Sequence, residues 1–222
     1  MANKRRTKKR KSKFFKIIED HINQNIKEYA ISVIIFLIGI IIGVMLLNSS
    51  SQENQQTISG YINEFTSSIK NQEYTIDQKK LFAKSVVSNL KIAVMIWIAG
   101  STIIGIPLVY GSLAYKAMCI GYSISAIIAT MEKSKGIIFS LSSMLLQNII
   151  AIPCILALAV SSIKMHRSIM KQHNKENIKS EIYRHTMFSI IMMIGLFISS
   201  LIEIFVSTNI TSNIIVNFIW KV

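Results

Sequence analysis

Few polar side chains in this chain stand where chemistry could be done. Gln147 and Asn148 are adjacent amides inside an apolar run, 136–163, and Pro153 follows in the same run. An amide in hydrocarbon needs a protein partner, because no water is there to bond it. A proline inside a helix removes one backbone donor and strands the carbonyl one turn earlier. Together the three residues mark a depth at which other helices must supply partners. His166, His173 and His185 share a basic segment with Glu176 and Glu181, but their spacing is not that of a helical metal pair. They read as solvated loop residues, and His21 as an ordinary polar-face residue. Glu203 is the one acid within or beside an apolar run, a functional candidate by default, and its place near the end of that run points to the interface. No Asp lies in any apolar run and no histidine stands inside one to activate a serine, which argues against an intramembrane protease or other hydrolase. Neither a metal nor a cofactor is expected, and the chain is read as not an enzyme.

The elements that must position these residues are long and apolar. Hydrophobic residues make up 51% of 222, the mean hydropathy is +0.45, and the apolar residues fall in blocks near the roughly 20 residues that cross a bilayer. The pattern predicts an all-α polytopic membrane protein with five transmembrane helices, at 30–47, 88–110, 111–131, 136–163 and 186–206, plus short amphipathic interfacial helices. Small residues give the helices faces for close approach. Gly39 and Gly43 stand four apart in span 1, Gly100 and Gly105 in span 2, and Gly121 between Ala117 and Ser125 in span 3. The span 1 pair is read as packing against another helix of the same chain, with a homo-oligomer as the alternative. Pro107 is expected to kink or end span 2, and Lys116 to reach an interface near the start of span 3. Cys119 and Cys154 lie in apolar runs and read as small buried residues rather than a disulfide.

Between the spans lie polar segments of unequal charge. Residues 1–29 form a basic tail followed by an amphipathic helix, with Phe14, Ile17, Ile18, Ile22 and Ile26 at helical spacing. Residues 48–87 balance four basic against four acidic residues, 164–185 form a basic loop, and 207–222 are too polar for a sixth span, with Trp220 and Lys221 suited to an interfacial anchor. Residues 1–29 hold ten Lys and Arg and 164–185 hold six, out of 25. Five crossings put both blocks on one side, which the positive-inside rule makes cytoplasmic, with 48–87 and the C-terminus extracytoplasmic. The formal charge of +14 therefore points to anionic lipid at the basic tail and not to nucleic acid. Met1 to Leu47 reads as a tail plus an uncleaved span.

Five spans, a basic N-terminal tail, a long outer segment after span 1 and the Asn148-Ile-Ile-Ala-Ile-Pro153 stretch resemble the stage II sporulation protein M family. The resemblance covers nearly the whole chain. Where the family motif reads Pro-His-Gly-Ile-x-Glu-Leu-Pro, this chain keeps Pro153 and the aliphatics and has Gln147, Asn148 and Ala151 at the His, Gly and Glu positions. The resemblance implies a membrane scaffold of endospore formation, in the septal and engulfing membrane, that localises a peptidoglycan-degrading pair, the stage II sporulation proteins D and P. Helix packing or partner binding would then fall to Gly39, Gly43, Gly100, Gly105, Pro107, Gly121, Gln147, Asn148 and Pro153. Broken helices with amides also line the paths of carriers, so a transporter or permease subunit with a polar path at 136–163 is the alternative.

Overall fold

A chain that must satisfy its backbone without water folds as helices, and the computed structural model, which describes residues 21–70, 77–131, 133–171 and 175–207, has no strand among them. The elements are α1 (Ile26–Asn48), α2 (Gln52–Lys70), α3 (Gln78–Ala99), α4 (Gly105–Thr130), α5 (Lys133–Lys171) and α6 (Lys175–Ile202), followed by a five-residue π turn, Glu203–Ser207. Five stretches are long and apolar enough to cross a membrane: α1, α3, α4, Gln147–Lys171 of α5, and Ile178–Phe205. The basic tail before residue 21 and the tail after 207, with Trp220 and Lys221, lie outside the described residues.

Helix α5 is the middle of the bundle. It touches α1, α3, α4 and α6, and its span is the most buried of the five. At 1.5 Å per residue its 39 residues run about 58 Å, well past the roughly 30 Å of a hydrocarbon core. The helix continues through Pro153, which is exposed on its outer face. The proline removes one hydrogen bond, and in lipid any wider break would strand more.

Helices α1 and α4 lie closest together. The buried stripe of α1 is Ser32, Phe36, Gly39, Gly43 and Leu47. A Cβ on Gly39 would stand 2.7 Å from the Ala117 Cβ and 2.8 Å from the Ala114 carbonyl oxygen. On Gly43 it would strike the Met118 carbonyl, and on Gly121 the Ile40 carbonyl. The glycine face of span 1 is thus filled from within the chain.

Two segments differ from their sequence readings. Span 2 begins at Gln78, capped by the Asp77 carboxylate on the Lys80 N–H at 3.1 Å, and ends at Ala99 rather than at 110. The turn is 100–104, and Pro107 lies in the first turn of α4, where a missing N–H costs nothing. Gly111 is mid-helix. The 164–185 segment is mostly helix: α5 runs to Lys171 and α6 starts at Lys175. Part of the 48–87 segment is α2, which rests on the far end of α4. The Gln55 amide donates to the Leu47 and Ser50 carbonyls at 3.1 Å each, and the Ser59 and Thr130 hydroxyls are 3.2 Å apart.

Candidate functional site

The buried stripe of α3 carries Ser85 and Asn89 one turn apart. The buried stripe of α6 runs His185, Ser189, Met192, Leu196, Ser199 and Ser200, and Glu203 opens the π turn beyond it. These two faces meet, and Lys116 of α4 joins them. The Lys116 ammonium donates to the Asn89 Oδ1 at 3.2 Å, and the Asn89 Nδ2 donates to the Ser200 hydroxyl at 3.0 Å. The Ser200 and Ser85 hydroxyls are 2.9 Å apart, and Ser85 donates to the Glu203 carboxylate. The Ser200 hydroxyl also donates to the Leu196 carbonyl of its own helix at 3.2 Å. Polar contacts thus run from a cation to an anion, and the set is neutral overall.

This network lies deep. Lys116 adjoins Ala117, which packs on Gly39 near the middle of α1. Gln147 completes it from α5: its carbonyl accepts from the Ser199 hydroxyl at 2.9 Å, and its side chain reaches Ser85 at 3.5 Å. Four helices and the π turn are therefore tied at one level. A π turn lets one helix re-aim a side chain without breaking, and such turns recur at functional sites.

The sequence-derived residues are scattered by comparison. Gln147 belongs to the network. Asn148 does not: its Nδ2 donates to the Met144 carbonyl of its own helix at 2.8 Å, so it needs no neighbouring helix. Gly39, Gly43 and Gly121 line the α1–α4 contact. Gly100 and Gly105 lie at the opposite end of the bundle from α2, against Ser162 and His166 of α5. Sequence reasoning missed Ser85, Asn89, Ser199 and Ser200, and set Lys116 and Glu203 at interfaces. Polar residues spaced four apart, Ser85 and Asn89, and the Ser200–Glu203 pair three apart were the available signals. We expect Asn89→Leu to lower stability by about 2–3 kcal/mol, since it strands the Lys116 donor and a Ser200 acceptor, and Asn148→Leu by under about 1 kcal/mol. Unfolding of both variants in one detergent measures the contrast.

Gly100 and Gly105 lead to a second set of polar contacts. The Ser162 hydroxyl donates to the Ile96 carbonyl at 2.8 Å, the His166 Nδ1 meets the Thr102 carbonyl at 2.8 Å, and the Ser161 hydroxyl meets the His185 Nδ1 at 2.8 Å. His166 and His185 are buried, not solvated loop residues, because the helices continue past the apolar runs and carry them inward. His173 lies outside the described residues. Arg167 pairs with Glu28, joining α5 to the start of α1. Among the described residues no three His, Cys, Asp or Glu side chains are grouped to hold a metal.

His21 is not a bland polar-face residue either. It stacks on Phe188 with centroids 4.5 Å apart, and its Nδ1 is 3.1 Å from the Tyr29 hydroxyl. Burial first, then the charges of Lys164 and Arg184, lower its pKa from 6.5 to about 4. Glu181 and His185 line the same cavity. Between those pH values a released segment binds a proton that the docked one refuses, so docking is strongest above pH 6.5 and is lost as pH falls toward 4. Protection of the amides of residues 21–25, with exchange corrected for its intrinsic pH dependence, should fall on acidification and become pH-independent in His21→Phe. A flat response in the unmodified chain contradicts this.

Five membrane-length helices closed on a polar interior define a multi-pass membrane protein. The family model described as stage II sporulation protein M matches residues 32–208, most of the chain, and the chain belongs to that family. It is on that ground a sporulation-related membrane protein. The match begins in the buried stripe of α1 and takes in the whole Lys116–Glu203 network. No curated protein and no solved structure matches it.

Proposed function

We propose that the chain is a non-enzymatic membrane scaffold of endospore formation that localises a peptidoglycan-degrading complex, the stage II sporulation proteins D and P, at the septal and engulfing membrane of the mother cell. One observation supports the preference for binding over transport: the deep polar groups bond one another across helices, from Lys116 through Asn89, Ser200 and Ser85 to Glu203, with one positive and one negative charge. A group satisfied by its own bundle holds helices together rather than greeting a solute. The basic blocks support an N-terminus in the cytoplasm, and α2 is then extracytoplasmic, facing the wall. There Tyr61 is 69% exposed while Ser59, Ile62 and Thr66 turn toward the bundle, which supports the outer face of α2 as the docking surface. A second copy would have to use a surface other than the filled glycine face.

Crosslinking and pull-down from sporulating cells test this. The intact chain should bring down both D and P, and Tyr61→Ala should weaken recovery several-fold. Unchanged recovery after deletion of 53–70 would move docking from α2 to the bundle, and failure of the intact chain to recover either protein overturns the scaffold. The carrier reading draws its support from ionisable groups at depth. Solute flux into vesicles that disappears in Gln147→Leu would establish it instead.

A further inference from the structure

We propose that the cavity between the segment leading into α1 and the α5–α6 hairpin is a binding site for a phosphate-bearing anionic headgroup. The inference does not rest on the scaffold reading.

The cavity is about 250 Å³, below the 300–1,000 Å³ usual for drug-sized ligands, so a headgroup fits better than a larger molecule. Its charged lining is Lys164 and Arg184 against a single carboxylate, Glu181. Arg184 grips Glu181 through one nitrogen, Nη2, at 2.6 and 2.7 Å, and a guanidinium offers five N–H donors. Gln24 adds an amide. The other walls are Met165 and Phe188, apolar surface under the charges. An anion is the ligand that gains from this excess of cations, and phosphate oxygens suit both Arg and Lys. Placement favours a lipid source. Gln24 lies two residues before Ile26, the first residue of a membrane-length helix, so the cavity sits at headgroup depth. Beyond it α6 turns Met187, Ile190 and Ile191 outward, where acyl chains would run. After burial, the charges of Lys164 and Arg184 also hold the His21 pKa down, so both cations face this cavity.

The test uses the full purified chain in neutral detergent, with thermal unfolding followed against short-chain phosphatidylglycerol, short-chain phosphatidylcholine or inorganic phosphate. Half-saturation by phosphatidylglycerol should come about ten-fold below phosphatidylcholine, the scale of one charge-assisted hydrogen bond. Lys164→Gln should erase the difference, and Lys179→Gln, exposed on α6, should keep it. Saturation by inorganic phosphate at the same concentration, lost in Lys164→Gln, supports the site with a soluble source. Saturation by the lipid alone supports the headgroup. Equal response to both lipids, or a preference untouched by Lys164→Gln, overturns the proposal. If Lys164→Gln does not fold, histidine NMR on the unmodified chain decides: the His21 titration should move up by about one unit or more with phosphatidylglycerol and not with phosphatidylcholine. A titration that stays put overturns it.

Discussion

Lys116→Met and Glu203→Gln should each destabilise the bundle by about 3–5 kcal/mol, and the double variant should recover most of that loss. Each single change leaves a charge at depth without its opposite. Glu203→Gln also changes the acceptor of the Ser85 hydroxyl, and Lys116→Met leaves the Asn89 Oδ1 without its donor. The double variant has no net charge to desolvate and loses only neutral hydrogen bonds. Measured coupling between neutral polar groups in membrane helices averages about 0.6 kcal/mol, so a recovery well above that reports the charges themselves. Unfolding titrations of the wild type, the two singles and the double give the cycle. Additive losses would show that Lys116 and Glu203 do not share a network.

Gly43→Leu should be nearly as damaging, for a steric reason. Its Cβ would meet the Met118 carbonyl, and backbone cannot swing away as a flexible side chain can. Overpacking costs about 1–3 kcal/mol where neighbours can shift, and we expect at least the upper end here. Gly60→Leu on α2, with nothing within 4 Å of its added Cβ, is the matched control. Equal stability of Gly43→Leu and Gly60→Leu would mean the two helices do not approach as described.

How much of this was legible in the sequence depends on what each feature needed. The five spans were, because lipid demands length and apolarity, and both are local. The turn between α3 and α4 was not: Gly100-Ser-Thr-Ile-Ile104 is nearly as apolar as its flanks, and Pro107 reads equally well as the stop of one helix or the first turn of the next. That error displaced Lys116 toward an interface. The network was hidden for a different reason. Ser85 and Glu203 are 118 residues apart, and the α6 stripe that carries Ser189, Ser199 and Ser200 is too polar to show as a hydrophobic face. His185 was obscured in the same way, by charged neighbours on the exposed side of its helix. The amides at 147 and 148 did mark the right depth, but only Gln147 uses it to join helices.

The most direct test of the account is recovery of the stage II sporulation proteins D and P from sporulating cells by the Lys116→Met/Glu203→Gln double variant, once its stability is shown to approach wild type. If the charges serve to close the bundle, the double variant should recover both proteins as well as the wild type does and should support spore formation. A double variant that folds as stably as the wild type and yet fails in both would contradict the account, because the charges would then be doing something other than holding helices together.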